Sequence, residues 1–443
     1  MIGIAKGNSL KIKKVRCENF RRFKDFTVYF DEHLTVLVAK NGAGKSSILD
    51  AVAISLGAFV TRIPNVSGIS QKDTDFRVLT DGSKPPYSRV SCETIDGIVW
   101  DRTERRDKTR RTIKQIPPGR GIKDLNDYAD RLVDQFNENI DVIFPIIAYY
   151  GTGRGVFEMP QRKRGFRKDF SRYDSYDEAL ESKANFKRFI EYFYNLESLE
   201  SGRQRELKSF DYQRPELRAI RQAVEAFMPE FSNPRKSHPA GIMVDWERDD
   251  GVYPLRVEQL SDGYRIALVM VMDIAARMAE ANPEESNPLA VTGIVLIDEV
   301  ELHLHPGWQQ RVLLDLTRVF PNVQFIVSTH SPHVIATVRP DQLRVIEWNG
   351  SDAKLVEVKF SEGAENSFIV ERILGVNARP EGVEIVGKLD EYQKLVEAGE
   401  WHTERALSLK RDLDHWGKGH DPEIDRLEMD VSIQQMDSKI EEI

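Results

Sequence analysis

The chain contains the segment Val36-Leu-Val-Ala-Lys-Asn-Gly-Ala-Gly-Lys-Ser-Ser47, in which an apolar strand runs into a loop of small residues and then into Lys45 and Ser46. In such a loop the backbone N–H groups point inward around phosphates, the lysine supplies positive charge at the β and γ oxygens, and the serine hydroxyl can bind Mg²⁺. The apolar spacing of residues 48–56 predicts a helix, which would place the phosphates at its N-terminus. The sequence therefore predicts a nucleoside triphosphate site whose phosphate loop is formed by Asn41, Gly42, Ala43, Gly44, Lys45, Ser46 and Ser47.

One position departs from the usual G-x-x-x-x-G-K-[ST] pattern. Ala39 replaces its first glycine, and a side chain is tolerated there only if the residue keeps a negative φ angle. The departure leaves open a nucleotide-sensing scaffold with negligible turnover, which a measurement of steady-state phosphate release would distinguish from an active enzyme.

Two further apolar segments end in side chains that phosphoryl transfer requires. Residues 294–297 are followed by Asp298 and Glu299, so that the first acid would lie near Mg²⁺ and the second could polarise the attacking water. Residues 324–329 are followed by His330, which could contact the γ-phosphate and report its loss. A lone histidine after a strand is more often structural, so the functional assignment of His330 depends on the other motifs of the chain.

A serine and a glycine open another apolar segment. Ser261 and Gly263 precede residues 266–274, which have the composition of a buried helix. A second helix N-terminus of this kind could close on a nucleotide held elsewhere. The alternative is an ordinary serine N-cap followed by a turn glycine.

These four segments occur in an order that resembles an ABC-type ATPase head over residues 10–345. The resemblance implies that two heads dimerise with two ATP molecules between them, because the signature helix is too far from its own phosphate loop. Ser261 and Gly263 would then contact the γ-phosphate held by the partner. Asp262 and Tyr264 stand where transporter heads usually carry glycine and glutamine, so the chain resembles the RecF, OLD and SMC-like ATPases more than transporters.

Two other segments agree with that branch. Residues 10–30 resemble the opening hairpin of RecF-like and SMC-like heads, and Arg21 or Arg22 could contact phosphate or ribose; solvated arginines at a strand edge are the alternative. The run Leu-His-Leu-His-Pro that contains His303 and His305 resembles the one in compact OLD-like ATPases. We interpret it as a dimer-facing loop, since a zinc site normally needs three or four convergent ligands.

A long segment separates Lys45 from Ser261, and it lacks the sustained a/d heptads of a coiled-coil arm. Residues 85–116 are predicted to be β-structure that ends in a charged strand over 102–114. A helix is expected over 124–139, a strand over 142–150 and a few short helices over 176–230. We therefore expect a compact inserted β and helical lobe at roughly 85–235.

Composition limits the classes of function. The 443 residues carry a net charge of −8 and two cysteines, with no apolar run of membrane length and no signal-peptide core, so a cytoplasmic protein without membrane contact is expected. The acidic total argues against coating of nucleic acid by the whole surface. Residues 102–120 and 162–168 are nevertheless strongly basic and could contact a DNA backbone. The sequence is equally compatible with two alternatives, in which these segments are solvated loops or contact acidic protein segments.

The C-terminal region is predicted to be helical and charged. Its last apolar residues are spaced 4-3-4-3, which makes a seam for another helix: Met429, Ile433, Met436, Ile440 and Ile443. This stripe could dock on the protein's own core, on a second copy or on a separate partner, and its own core is the default.

No Toprim module and no HNH pattern can be read in the chain, which distinguishes it from OLD nucleases. The combination of Leu-Ser-Asp-Gly-Tyr-Arg, Leu-His-Leu-His-Pro and a helical tail is similar to the PtuA family, the ATPase subunits of Septu antiphage systems, also found beside some retrons. The resemblance implies ATP and Mg²⁺ as cofactors, an HNH nuclease subunit, PtuB, as partner, and regulation of that nuclease by an ATP-controlled dimer. A RecF-like DNA-repair clamp that binds DNA directly is the alternative.

The expected fold class is α/β, an ABC-type ATPase head with a mixed β-sheet core that carries the phosphate loop, an antiparallel β subdomain and an inserted helical lobe. The head is expected over residues 1–375, and a helical appendage for assembly or partner binding over 376–443.

Overall fold

The computed structural model describes residues 10–155, 167, 169–182, 186–237 and 241–441. The chain folds into two compact units, one that ends at Ile369 and one that begins at Val370. The strands are β1 (Ile12–Phe20), β2 (Phe23–Tyr29), β3 (Leu34–Ala39), β4 (Tyr87–Thr94), β5 (Val99–Arg105), β6 (Ile146–Tyr150), β7 (Phe231–Lys236), β8 (Ile242–Arg248), β9 (Gly251–Arg256), β10 (Gly293–Ile297), β11 (Val323–Thr329), β12 (Leu343–Asn349) and β13 (Asp352–Val356). The helices are α1 (Lys45–Val60), α2 (Arg110–Lys114), α3 (Lys123–Asn137), α4 (Lys187–Leu207), α5 (Pro215–Phe227), α6 (Asp262–Ala281), α7 (Pro306–Gln309), α8 (Val312–Val319), α9 (Pro332–Ile335), α10 (Asn366–Phe368), α11 (Glu384–Glu397), α12 (Glu404–Gly417) and α13 (Pro422–Glu441).

A six-stranded sheet forms the centre of the first unit, in the order β13-β12-β3-β11-β10-β6. The pairs from β12 to β6 are parallel, and only β13 runs antiparallel to its neighbour. Every residue of β3, β6, β10 and β11 is buried, which explains why these strands are predominantly apolar and do not alternate between apolar and polar residues. Because parallel strands end at the same edge of a sheet, the residues that follow β3, β10, β11 and β6 meet there.

A second, antiparallel sheet has the order β2-β1-β4-β5, and a third has the order β7-β8-β9. The residues expected to form one inserted lobe at 85–235 are therefore distributed: β4 and β5 extend the sheet begun by β1 and β2, and β6 joins the central sheet. Helix α4 has 21 residues, so the expectation of short helices over 176–230 was wrong.

The charged strand expected over 102–114 was also wrong beyond Arg105, where β5 ends. The Asp107 carboxylate accepts hydrogen bonds from the backbone and hydroxyl of Thr109, and the Thr109 hydroxyl accepts one from the backbone of Thr112. These local side-chain bonds cap a helix, which begins at Arg110. The segment consequently leaves the sheet as a short basic helix, α2.

The second unit has its own apolar core, built by α11, α12 and α13. Its buried residues are Leu389, Tyr392, Val396, Ala406, Leu409, Leu413, Ile424 and Leu427. Met429, Ile433 and Met436 of the predicted seam are 66%, 51% and 65% exposed among the described residues, and what this stripe docks on stays a prediction. The side chains of Ile440 and Ile443 lie outside the described residues.

Among the residues that the structure describes, no helix has both the length and the apolar composition needed to cross a membrane. Cys17 and Cys92 are buried free thiols in the second sheet.

Candidate active site

The phosphate loop joins the end of β3 to the start of α1. Ala39 is the last residue of β3 and is not among the residues with positive φ. The replacement of the usual glycine by alanine is therefore tolerated at this position. Gly44 has φ +106°, and a Cβ atom there would lie 2.6 Å from the Phe23 ring. A glycine is therefore required at the turn into the helix.

The N-terminus of α1 is suited to an anion. Gly44 provides no side-chain cap, and the first helical turn contains no acidic residue. The first backbone N–H groups of the helix are thus left for an external acceptor. Asn41 and Ser46 are exposed beside them, whereas Ala43 is buried.

Lys45 and His330 meet at the sheet edge. Lys45 is 6% exposed, and its ammonium donates a hydrogen bond to the carbonyl oxygen of Ala39 at 3.2 Å and contacts Nε2 of His330. Burial lowers the pKa of Lys45, and burial together with the positive charge of Lys45 lowers the pKa of His330. The imidazole is therefore neutral at neutral pH.

Asp298 and Glu299 follow β10 at the same edge. The hydroxyl of Ser328, in β11, donates a hydrogen bond to Oδ1 of Asp298 and accepts one from the backbone N–H of Glu299 at 2.8 Å. Glu299 has φ +50°, an uncommon conformation for a non-glycine residue. Residues with such strained backbones cluster at functional sites, so the positive φ of Glu299 identifies this turn as a candidate functional position.

Two neighbours of this edge were not predicted from the sequence. Glu301 accepts a hydrogen bond from the backbone N–H of His330 at 2.6 Å. Arg154, buried after β6, donates hydrogen bonds to the backbone carbonyl oxygens of Asp298 and Glu299. The available signal was an arginine placed shortly after an apolar strand, in the segment Tyr-Tyr-Gly-Thr-Gly-Arg at 149–154.

The signature segment lies at the start of α6. Ser261 is exposed and its side chain makes no capping hydrogen bond, which argues against the simple N-cap interpretation. Gly263 approaches the loop after β10 so closely that a Cβ atom would lie 2.3 Å from the carbonyl oxygen of His303. Within the described residues, no hydrogen bond or ion pair joins Ser261 or Gly263 to the phosphate loop of the same chain.

The structure separates the roles of the two N-terminal arginines. Arg21 forms ion pairs with Asp50 and Asp75, so its guanidinium is already engaged by carboxylates. Arg22 donates a hydrogen bond to the carbonyl oxygen of Gly42 and lies 4.3 Å from the centre of the Trp348 ring. Arg22, rather than Arg21, is the arginine beside the phosphate loop.

No group of three or more His, Cys, Asp or Glu side chains that could hold a metal ion occurs among the described residues, which include His303 and His305. His303 has φ +62°, and Nδ1 of His305 accepts a hydrogen bond from the backbone of Gly307 at the start of α7. Nearby, the Trp308 indole donates a hydrogen bond to the Tyr264 hydroxyl at 3.1 Å.

Comparison with known proteins agrees with this geometry. A model described as an AAA domain matches residues 14–231, and one described as an AAA ATPase domain matches residues 164–335. The chain is 27% identical to the retron Ec83 probable ATPase of Escherichia coli, over 97% of this chain and 89% of that protein. It is 39% identical to the Septu protein PtuA of Bacillus mycoides over 17% of this chain and 10% of that protein. It is 24% identical to the OLD nuclease of Thermus scotoductus over 78% of this chain and 63% of that protein.

These matches support a PtuA- and OLD-like ABC ATPase. The resemblance recognised in the sequence is thereby confirmed, and so is the expected α/β fold class with its mixed sheet and C-terminal helices. In an ATPase of this class the edge that carries Lys45, Asp298, Glu299 and His330 is the candidate site of hydrolysis.

Proposed function

We propose that this ATPase binds ATP with Mg²⁺ and hydrolyses it between two head-to-head copies of the chain. The observation that carries the proposal is the convergence of Lys45, Asp298, Glu299 and His330 at the edge where parallel strands end. The donor set fits the cofactors: the uncapped start of α1 suits phosphate, and the oxygens of Ser46 and Asp298 are ligands that Mg²⁺ prefers.

Each side chain has a separate role in this scheme. Lys45 neutralises charge on the phosphate oxygens, and Asp298 and Ser46 hold the metal ion. Glu299 accepts a proton from the attacking water. The imidazole of His330 can donate a hydrogen bond to the transferred phosphoryl group.

The head-to-head arrangement is supported by Ser261 and Gly263. The serine hydroxyl is exposed and not used as a cap, and α6 begins directly after it. Presented to a second copy, this helix N-terminus would complete the phosphate site of that copy. Phosphate release that depends on protein concentration, measured on the purified chain with ATP and Mg²⁺, would test the proposal; turnover that is independent of dilution would contradict it.

We further propose that the ATP-controlled dimer regulates an HNH nuclease subunit of the PtuB kind in defence against phage. The retron and Septu relatives support this role, and we assign no nuclease chemistry to the chain itself. The exposed stripe on α13 is the candidate contact for that partner or for a higher assembly, because three large apolar side chains are exposed there on one helix.

Replacing Met429, Ile433 and Met436 together with serine is expected to weaken higher assembly or nuclease capture by at least about tenfold, because apolar contact area is lost. Deleting α13 would not isolate this effect, since Ile424 and Leu427 belong to the core of the unit. The matched control is Leu407→Ser, which removes an apolar side chain that is 50% exposed on α12. Light scattering and co-purification with the nuclease measure the effect, and unchanged mass with unchanged capture would reject the assignment.

A RecF-like clamp that binds DNA directly is the second candidate, and the basic segment around α2 favours it. Several of its cations are exposed and form no ion pair with the described residues: Arg105, Lys108, Arg110, Arg111, Lys114 and Arg120. The other basic segment, 162–168, lies outside the described residues except for Arg167, which pairs with Asp174 and Asp177.

The clamp requires a steep fall of DNA affinity with salt. Substituting Arg110→Glu and Arg111→Glu should then reduce the slope of log K against log[salt] by about 2, since each lost phosphate contact contributes about 0.9. Arg203→Glu with Arg205→Glu, on the exposed surface of α4, is the control and should leave the slope unchanged. A shallow slope for the unmodified chain would exclude the clamp and favour the nuclease-partnered function.

A further inference from the structure

Arg154 is a buried guanidinium without a carboxylate partner among the described residues. It follows β6 in a short helical turn, Thr152–Gly155, and is 1% exposed. Burial lowers the pKa of Arg154 to about 10, which still leaves the group charged at neutral pH. A buried charge of this kind is retained only where several acceptors satisfy it.

The acceptors of Arg154 are all backbone carbonyl oxygens. Nη1 donates to Gly151 at 3.0 Å, to Tyr150 at a longer 3.4 Å and to Asp298, and Nη2 donates to Glu299. Tyr150 is the last residue of β6 and Gly151 follows it, whereas Asp298 and Glu299 form the acidic turn after β10. The strands β6 and β10 are parallel neighbours, and the last backbone hydrogen bond between them runs from the N–H group of Asp298 to the carbonyl oxygen of Tyr150. The guanidinium of Arg154 connects the two chain segments beyond that bond.

The peptide groups of Glu299 are consequently held on both sides. Ser328 accepts from its N–H group at 2.8 Å, and Arg154 donates to its carbonyl oxygen. Between these two bonds the backbone has φ +50°, a conformation that a residue with a side chain adopts only when its surroundings impose it. The direction of the Glu299 carboxylate depends on that conformation.

We infer that Arg154 is a positioning residue, which fixes Glu299 in the left-handed conformation so that its carboxylate is aimed at the attacking water. The inference rests on the proposed function, in which Glu299 is the base. The planar fork of arginine reaches the carbonyl oxygens of both strand ends at once, whereas the ammonium of a lysine is a single point charge. The four carbonyl acceptors of Arg154 all lie outside the phosphate loop, so nucleotide binding should not depend on it directly.

The first test compares Arg154→Gln and Arg154→Lys in the full chain. We expect kcat for ATP hydrolysis to fall about 100-fold in the glutamine variant, the scale of a small misplacement of a catalytic group, with KM changed less than about threefold. The lysine variant should recover part of the loss. Arg188→Lys is the control, because Arg188 is another buried arginine that donates to a backbone carbonyl, that of Asp174, and pairs with Glu280; it should leave kcat within about threefold.

The second test is a double-mutant cycle with Glu299→Gln. If Arg154 acts through Glu299, adding Arg154→Gln to Glu299→Gln should cause no further loss of the residual rate. If Arg154→Gln lowers the residual rate of Glu299→Gln by the same factor as it lowers the rate of the unmodified chain, the inference is overturned. Normal ATP turnover by the Arg154 variants would also overturn it. Loss of nucleotide binding or of the folded state in both Arg154 variants would also overturn it, because a positioning role requires an intact site. Normal turnover by Glu299→Gln alone would instead reject the proposed base.

Discussion

Replacing Glu299 with glutamine is expected to lower the steady-state rate of ATP hydrolysis about 1000-fold, the middle of the range for loss of a general base. Glutamine keeps the size of the side chain but cannot accept the proton of the attacking water. The substitution leaves Lys45, Ser46 and Asp298 in place, so ATP binding should persist. Phosphate release and the affinity for a fluorescent ATP analogue measure the two effects separately.

The same variant is expected to accumulate as a dimer with ATP, because the nucleotides that join the two copies are no longer consumed. Light scattering should then give the mass of two chains with ATP and Mg²⁺, and the mass of one chain with ADP. Glu104→Gln, on the exposed end of β5, is the matched control for loss of one carboxylate and should turn over normally. A normal rate in Glu299→Gln would show that another group removes the proton.

Mixing two inactive variants is expected to restore hydrolysis, which is the second large effect. Lys45→Ala removes the phosphate-loop charge, and Ser261→Arg blocks the surface that one copy presents to the other. Each variant alone should have under about 1% of the normal rate. In a mixed dimer, one of the two sites contains the intact Lys45 of one chain and the intact Ser261 of the other.

The recovered rate should approach about a quarter of normal, since random exchange puts half of the chains in mixed dimers and each of these has one intact site of two. Differently tagged chains, captured through one tag, establish that mixed dimers form. Lys45→Ala mixed with a second preparation of Lys45→Ala is the control and should remain inactive. Mixed dimers that form but do not hydrolyse ATP would contradict the shared site.

The parts of the site that lie within one continuous segment could be predicted from the sequence. Strand β3, the loop and α1 follow one another without a break, and the acidic residues and His330 each follow a fully buried strand. Their meeting at one edge follows from the rule that parallel strands end together. The apolar runs predicted these strands because burial on both faces removes the alternation of polar residues.

The interactions made across the fold could not be predicted in the same way. Arg154 reaches Glu299 over 145 sequence positions, and nothing in its own segment indicates which carbonyl oxygens it will contact. Arg21 and Arg22 are adjacent, and the choice between them depends on the left-handed backbone of Arg21 and on the distant Trp348. Helix α2 was missed for a local reason, since side-chain hydrogen bonds of Asp107 and Thr109 cap a helix inside the segment that was predicted to be a charged strand.

The pairing of Trp308 with Tyr264 has a consequence for how a dimer of the proposed kind would work. Their hydrogen bond and edge-to-face packing join the start of α6 to α7, the helix that follows the His303 turn. Gly263 adds a close approach to that turn. Ser261, which a chain presents to its neighbour, therefore cannot shift without displacing the His303 turn of the same chain. That turn lies beside the acidic pair Asp298 and Glu299. In such a dimer, movement of the acidic turn in one copy would be transmitted to the serine that this copy presents to its neighbour.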